Sequence, residues 1–286
     1  MSDTPAWFTD ALAHPAESRF AELDGVPVHY LSWNAAETHK PGLLFAHGFR
    51  AHARWWSFIA PFFLERFRVA ALDFPGMGDS SARPRYEGRD FSRAIRAVLT
   101  HSGFGRSTLI GHSFGGSQVA RASFEFPDLV SRTVIIDSYI PVLPAARVPP
   151  QLELRPKNIY PTYEAARARF RLVPEQNIAA PYILDYIARH SLKQVEGGWT
   201  WKFDESFLPR QVAPDVEQLT ATLAGIQVPV TYMYGDQSAV VSAELANAIV
   251  QHLRQGSGPI VIAHSHHHVM LDQPLALVQA LKDVLY

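Results

Sequence analysis

The chain contains no cysteine, almost no net charge and no long apolar run. Among 286 residues the absence of cysteine excludes disulfides, thiol nucleophiles and thiolate metal sites. With 26 basic and 27 acidic residues the formal charge is -1, so the charge balance does not favour nucleic acid or an anionic membrane as a partner. No apolar stretch is long enough for a transmembrane helix. We therefore expect neither nucleic acid nor membrane among its partners.

Signatures of secretion and of nucleotide binding are missing as well. Residues 1–7 have no basic start and no sustained apolar core, so we expect no signal peptide and a cytoplasmic location. The sequence has no G-x-G-x-x-G pattern within a βαβ unit and no G-x-x-x-x-G-K-[ST] loop, and we expect no cofactor. The 47% hydrophobic content is sufficient for a substantial core. These features favour a globular protein that binds a small molecule.

One short stretch has a specific pattern. Residues 109–116 read Leu-Ile-Gly-His-Ser-Phe-Gly-Gly and place Ser113 between Gly111 and Gly115. The G-x-S-x-G spacing is that of a nucleophile elbow, a strained turn between a strand and a helix where flanking side chains would collide with the backbone. Strand-like residues precede Ser113, and helix-like residues follow it as far as Pro127. The pattern predicts a nucleophilic serine; the alternative is a glycine-rich turn that only packs tightly.

A nucleophilic serine requires a histidine base, and the base requires an acid that fixes its tautomer. The loop after the last predicted strand has four histidines within five positions, at 264 and 266–268. No cysteine and no H-E-x-x-H motif accompanies them, so we expect no metal site. This loop is the natural source of the base.

Strands and helices alternate along most of the chain. This rhythm predicts a mostly parallel sheet covered by helices on both faces, including a helix that carries Trp55 and Ile59. Between residues 138 and 211 the rhythm breaks, because prolines and arginines cluster there and the helical pieces have no buried strand between them. We predict a core formed by residues 1–137 and 212–286, with a mainly helical cap inserted at 138–211.

The elbow, the alternating strands and the histidine loop resemble the α/β-hydrolase superfamily over nearly the whole chain outside the cap. The resemblance implies the α/β-hydrolase fold. Relatives commonly read Gly-His-x-x-x-x-Glu-x-Pro in the histidine loop, and matching Asp272 and Pro274 to its end implies His267 as the catalytic base. Dehalogenation and epoxide opening in this fold use an aspartate nucleophile, so Ser113 argues against both.

The acid is less simple to assign. Many relatives carry it in a Gly-x-x-Asp turn after the strand that follows the cap, where this chain has Gly235 and then Ser238. Asp236 is one substitute, and Asp137, at the end of the strand before the cap, is the other. The chain resembles a serine-hydrolase-like subgroup that combines an acid at that strand end with a doubled histidine and a Gly-x-x-Ser turn. We therefore favour Asp137 over Asp236.

The resemblance also implies an oxyanion hole built from the backbone N–H groups of Phe49 and Phe114. His47 is expected to brace the first of these loops rather than to act as a base. Aromatic residues of the cap and its facing helix, Trp55 and Trp201 among them, favour a pocket for an apolar acyl or aryl group. Packing of the cap against the sheet is an equal alternative for any one of them.

Together these features predict a cofactor-independent serine hydrolase that cleaves small to medium apolar carboxylic esters through an acyl-enzyme on Ser113. A lactone or C–C bond hydrolase with the same triad is an alternative. A hydrolase-like ligand receptor is another, favoured only by the serine at position 238. The sequence does not indicate an oligomeric state.

Overall fold

A computed structural model describes residues 4–143, 158–204, 206 and 215–286. Its centre is an eight-stranded sheet, and a separate two-stranded hairpin lies in the segment between the sixth and seventh sheet strands. The strands are β1 (Glu17–Leu23), β2 (Val26–Trp33), β3 (Gly42–Ala46), β4 (Arg68–Leu72), β5 (Ser107–His112), β6 (Val130–Ile136), β7 (Leu192–Val195), β8 (Gly198–Trp201), β9 (Val230–Gly235) and β10 (Gly256–Ile262).

The strand order in the large sheet is β1-β2-β4-β3-β5-β6-β9-β10. β1 and β2 form an antiparallel hairpin, and β2 pairs antiparallel with β4. Asp24 and Gly25 make the hairpin turn with φ values of 53° and 77°, as a two-residue turn of this kind requires. All remaining pairs are parallel, so the carboxyl ends of β3, β5, β6, β9 and β10 point to one edge. The predicted mostly parallel sheet is confirmed.

Helices cover both faces of this sheet. They are α1 (Ala6–Leu12), α2 (Asp90–Ser102), α3 (Phe114–Glu125), α4 (Tyr163–Arg167), α5 (Pro181–His190), α6 (Val216–Gly225), α7 (Ala243–His252), α8 (Val269–Asp272) and α9 (Pro274–Leu285). Side chains alternate across β3, so Leu44 packs into a core with α2, α3 and α7, whereas Phe45 packs into a second core with α1 and α9. β3, β4 and β5 are buried throughout, as expected for central parallel strands.

The segment between β6 and β9 holds α4, α5 and the hairpin of β7 and β8. The hairpin is tied to the loop after β4, because Phe203 forms a β-bridge with Met77 and Lys202 makes an ion pair with Asp79 at 2.6 Å. Residues 144–157, 205 and 207–214 of the predicted cap and its boundary lie outside the described residues. The division into core and cap therefore stays a prediction.

The helix predicted around Trp55 and Ile59 is wrong. The structure has two short 3-10 helices there, Ala53–Trp56 and Ala60–Phe63. Pro61 cannot donate the backbone hydrogen bond that a continuous α-helix requires. Among the described residues, no helix has the length and apolar character needed to cross a membrane.

Close backbone packing at the start of α3 gives a stability prediction. A Cβ atom at Gly115 would lie 2.4 Å from the carbonyl oxygen of Ala46 and 2.6 Å from that of His47. We expect Gly115→Ala to lower the free energy of unfolding by at least about 1–3 kcal/mol, because backbone must move to admit the methyl group. Thermal denaturation measures this loss. Gly88→Ala is the control, since its methyl group would meet only the flexible end of Arg121; equal midpoints for the two variants would contradict the argument.

Candidate active site

Ser113 lies at the carboxyl edge of the sheet, in the turn between β5 and α3. Its φ and ψ are 52° and -121°, a conformation that is strained for a residue with a side chain. The turn is compact because a Cβ at Gly111 would lie 2.3 Å from the carbonyl oxygen of Gly115. The N–H of Ser113 donates to the carbonyl of Ile136 at 2.9 Å, which fixes the turn against the end of β6. The predicted elbow geometry is thus present.

His267 lies between Ser113 and Asp137. Its Nε2 is 3.0 Å from Oγ of Ser113, and its Nδ1 is 2.8 Å from Oδ1 of Asp137. His267 is 4% exposed and Asp137 is fully buried, so both hydrogen bonds are largely shielded from water. A carboxylate can only accept, so Nδ1 carries the proton and Nε2 accepts the serine hydroxyl. The structure brings the three predicted triad residues together in this order.

Asp137 has hydrogen-bond donors on both carboxylate oxygens. Its Oδ2 accepts the N–H of Gly235 at 2.9 Å, and its Oδ1 accepts the hydroxyl of Ser238 at 2.7 Å as well as His267. Ser238 occupies the position at which many relatives are expected to carry the acid, and here it supports an acid from the end of β6. A carboxylate at position 238 would place a second negative charge against Asp137.

Asp236 has a different set of contacts. It is exposed, and its Oδ1 accepts the N–H of Ser265 at 3.0 Å. Backbone hydrogen bonds from Ser265 and His264 lower the pKa of Asp236. This carboxylate braces the histidine loop, whereas the carboxylate of Asp137 contacts the imidazole of His267.

Phe49, in the loop after β3, and Phe114, at the start of α3, flank Ser113. Phe114 is the first residue of α3, and the N–H groups of a first helical turn point out of the helix end. Phe49 follows Gly48, and a Cβ atom at Gly48 would lie 3.4 Å from Cβ of Ser113, so this loop passes close to the serine. The two rings make an edge-to-face contact with centroids 6.0 Å apart. Their role as oxyanion donors stays a prediction.

His47 braces the loop that carries Phe49. Its Nε2 accepts the N–H of Phe74 at 3.0 Å, and its Nδ1 donates to the carbonyl of Gly48 at 2.7 Å. One accepting and one donating nitrogen is the pattern of a neutral imidazole. Complete burial lowers the pKa of His47, in agreement with that state. His47 therefore acts on the loop and does not compete with His267 for Ser113.

Asp73 directly follows β4, and its side chain holds this loop in place through hydrogen bonds. Its carboxylate accepts the N–H groups of Ala53 and Asp79 at 2.6 and 2.9 Å, and it contacts Nδ1 of His29 at 2.6 Å. Burial alone would raise the pKa of Asp73, but the hydrogen bond and charge of His29, with the N–H of Asp79, lower it to about 2. The carboxylate is fully engaged in structural contacts.

The two tryptophans predicted to bind substrate lie in different surroundings. Trp55 is 6% exposed, and its ring meets that of His268 edge to face at 5.3 Å between centroids. Trp201, in β8, packs against Tyr160 and Phe170 at 6.1 and 6.2 Å. The structure thus places Trp55 beside the histidine loop and Trp201 within the aromatic contacts of the hairpin. Substrate binding by either residue stays a prediction.

Two further histidines lie next to His267, and the sequence patterns predict a specific role for neither. His112 precedes the serine in the elbow, and its Nε2 donates to the carbonyl of His267 at 2.9 Å. The rings of His112 and His268 lie 4.8 and 4.9 Å from the ring of His267, centroid to centroid. Burial lowers the pKa of both well below the usual value. The sequence does show a histidine within G-x-S-x-G, at position 112. Local spacing alone does not predict its contact with the distant histidine loop.

Two groups of side chains are close enough to share a metal ion within the described part of the chain. One consists of His29, Asp73 and Asp79, and the other of His112, His267 and His268. In the first group, Asp73 already accepts hydrogen bonds on both oxygens. The second group lies at the predicted triad.

With this fold and site described, comparison with known proteins identifies the class. Residues 43–280 match the model of the alpha/beta hydrolase family, so the chain belongs to that family. It is 24% identical over 276 residues to a serine hydrolase-like protein of Danio rerio, covering 87% of this chain and 82% of that protein. It is 25% identical over 266 residues to Esterase Rv0045c of Mycobacterium tuberculosis, covering 89% and 85%. Epoxide hydrolase 3 of Xenopus tropicalis is 22% identical over 286 residues, covering 91% and 75%.

Solved structures show the same fold. A thioesterase domain from a curacin biosynthetic pathway superimposes with a TM-score of 0.77 at 22% identity, covering 94% of this chain and 99% of that one. The crystal structure of the esterase Rv0045c gives a TM-score of 0.74 at 20% identity, covering 100% and 99%. At these identities the likeness concerns the fold alone. The predicted α/β-hydrolase fold and the resemblance to the serine-hydrolase-like subgroup are confirmed.

The contacts of Asp73 predict an acid-dependent loss of stability. Its pKa of about 2 lies below the usual 3.8, so its contribution is fully present above about pH 4 and is lost as the pH falls towards 2. Asp73→Asn should lower the free energy of unfolding at pH 7 by about 2 kcal/mol, and the difference from wild type should shrink as the pH falls from 4 to 2. Urea unfolding at several pH values measures this. The exposed Asp128→Asn is the control, and a difference that grows with acid would refute the assignment.

Proposed function

We propose that this α/β hydrolase is a cofactor-independent serine hydrolase that cleaves small to medium apolar carboxylic esters through an acyl-enzyme on Ser113. The observation that carries the proposal is the continuous hydrogen-bonded line from Oγ of Ser113 through His267 to Asp137, at 3.0 and 2.8 Å. Serine, imidazole and buried carboxylate in this order are the arrangement that makes a hydroxyl nucleophilic at neutral pH.

In the proposed mechanism, Oγ of Ser113 attacks the ester carbonyl while Nε2 of His267 takes its proton. Asp137 keeps the proton on Nδ1 and stabilises the imidazolium that forms. The N–H groups of Phe49 and Phe114 stabilise the negative charge that develops on the carbonyl oxygen. His267 then returns the proton to the leaving alcohol. Water, activated by the same imidazole, hydrolyses the acyl group from Ser113.

Aromatic packing around the elbow supports an apolar acyl group. The ring of Phe114 contacts those of Phe49, Phe74 and Phe91 with centroids 6.0, 5.4 and 4.9 Å apart. Trp55 lies on the side of the histidine loop, where its ring contacts that of His268. An apolar surround of this kind strengthens the electrostatic interactions of the triad and favours burial of an apolar substrate portion.

Two features support ester cleavage over the other chemistries of the family. One relative that aligns along most of the chain is named an esterase. Epoxide hydrolases are also among the relatives, but the resemblance implies an aspartate nucleophile for that reaction and the elbow here holds Ser113.

The alternative of a non-catalytic receptor rested on Ser238, and its hydrogen bond to Asp137 gives that serine a place in the triad network.

Hydrolysis of a chain-length series of p-nitrophenyl esters tests the nucleophile. We expect wild-type turnover with an optimum at short to medium acyl chains, and a loss in Ser113→Ala on the order of 10⁶-fold in kcat, to the limit of detection. Ser102→Ala, at the end of α2, should keep wild-type rates. Equal rates for wild type and Ser113→Ala would exclude the proposal, and turnover of lactones or C–C substrates in place of esters would move it to the alternative bond type.

The identity of the acid is tested by a matched pair of isosteric variants. Asp137→Asn should lower kcat on the order of 10⁴-fold, because the amide favours the wrong imidazole tautomer. Asp236→Asn removes a similar charge from a carboxylate that accepts a backbone N–H of the histidine loop, and it should lose far less activity. Circular dichroism is the check that both variants are folded. A larger loss in Asp236→Asn would show that the acid is misassigned.

A further inference from the structure

Three buried imidazoles meet beside Ser113, and the proposed hydrolysis uses only one of them. His112, His267 and His268 are 1%, 4% and 6% exposed. One ring nitrogen from each lies within 4.8 Å of the other two. Oγ of Ser113, at 3.0 Å from Nε2 of His267, borders this group, which we call the histidine cluster.

Hydrogen bonds to neighbouring oxygens fix the tautomers of two rings of the cluster. His267 donates its Nδ1 proton to Asp137, which leaves a lone pair on Nε2. His112 donates its Nε2 proton to the carbonyl of His267, which leaves the lone pair of the neutral ring on Nδ1. Metal-binding histidines almost always have this second contact, a carboxylate or a carbonyl that accepts the proton of the other nitrogen.

Three ring nitrogens of the cluster have no hydrogen-bond partner in the part of the chain that is described. Nδ1 of His112 makes no hydrogen bond to any described residue, and neither nitrogen of His268 makes one. The carbonyls of Val173 and Pro174 lie near the ring of His268 without reaching good hydrogen-bond geometry. Buried polar groups normally have partners, so unpartnered imidazole nitrogens on two rings of a close histidine cluster indicate a ligand.

We infer that the histidine cluster is an inhibitory binding site for a divalent transition-metal ion such as Zn²⁺. Imidazole suits zinc, copper and nickel, whereas magnesium and calcium require oxygen ligands. Zn–N bonds of about 2.0–2.1 Å in a tetrahedral site put the ligand nitrogens about 3.3 Å apart, so the rings must close in by up to about 1.5 Å from their present maximum of 4.8 Å. Oγ of Ser113 is within reach as a fourth ligand.

Binding of the ion stops the proposed reaction for a simple reason. The metal occupies the lone pair of Nε2 on His267, and that lone pair is the one that accepts the proton of Ser113. The inhibition rests on the proposed function, but binding of the metal does not. The ion is therefore an inhibitor at this site and not a cofactor.

Zinc binding and zinc inhibition are measured separately. Isothermal titration calorimetry with Zn²⁺ on wild type and on Ser113→Ala should show one tight site in each, because all three imidazoles are retained. His268→Gln and His112→Asn should each weaken this site at least tenfold. In p-nitrophenyl ester hydrolysis, normalised to the zinc-free rate of each variant, they should need at least tenfold more Zn²⁺ for half inhibition. EDTA should restore the rate, and Mg²⁺ should have no effect.

The control is the double variant His264→Gln/His266→Gln, which removes the exposed and the half-buried histidine of the same loop and leaves the cluster intact. It should bind zinc and be inhibited as wild type is. Loss of tight binding in this control, or unchanged binding in a folded His268→Gln and a folded His112→Asn, would overturn the inference. If the protein hydrolyses no ester, the calorimetry still decides the metal site, so failure of the proposed function is distinguished from failure of the inference.

Discussion

The buried carboxylate of Asp137 is the interaction on which the rest of the site depends. Its backbone N–H donates to the carbonyl of Met233 at 2.8 Å, which joins the end of β6 to β9, and its φ of 43° turns the side chain towards the histidine loop. Gly235, Ser238 and His267 then donate to the carboxylate. A fully buried charge is stable only when donors compensate its lost hydration. The contacts that keep this charge in the core therefore also hold the loops of the site in place.

The strained turn at Ser113 is connected to the same strand end. Ile136, directly before Asp137, accepts the N–H of Ser113, and the hydroxyl of Ser138, directly after it, donates to the carbonyl of Ser113 at 2.7 Å. Three consecutive residues at the end of β6 thus position both the proposed nucleophile and the proposed acid. A change in the path of this strand end would move Ser113 and His267 together.

Local spacing made much of the fold and part of the site predictable. The elbow glycines and the apolar strands are short-range signals, so β5, α3 and the position of Ser113 follow from them. The choice between Asp137 and Asp236 depends on which carboxylate faces His267, and both lie close to Gly235, so only three-dimensional packing separates them. The helix predicted around Trp56 is wrong for a different reason, because Pro61 limits this segment to two short 3-10 helices.

His112 and His268 were missed because their significance lies in a contact between the elbow and a loop more than 150 residues away. The same properties that suit His267 to the proposed role of base also suit it to bind a metal ion. A carboxylate behind the ring fixes the tautomer, increases its basicity and leaves one lone pair directed at the serine. The lone pair can always accept a proton. Whether it can also bind a metal ion depends on the neighbouring imidazoles. In most surroundings a single histidine binds such an ion weakly, whereas three convergent imidazoles in a buried site form a chelating set. The proposed metal sensitivity is thus a consequence of how His267 is held and of the two histidines that surround it.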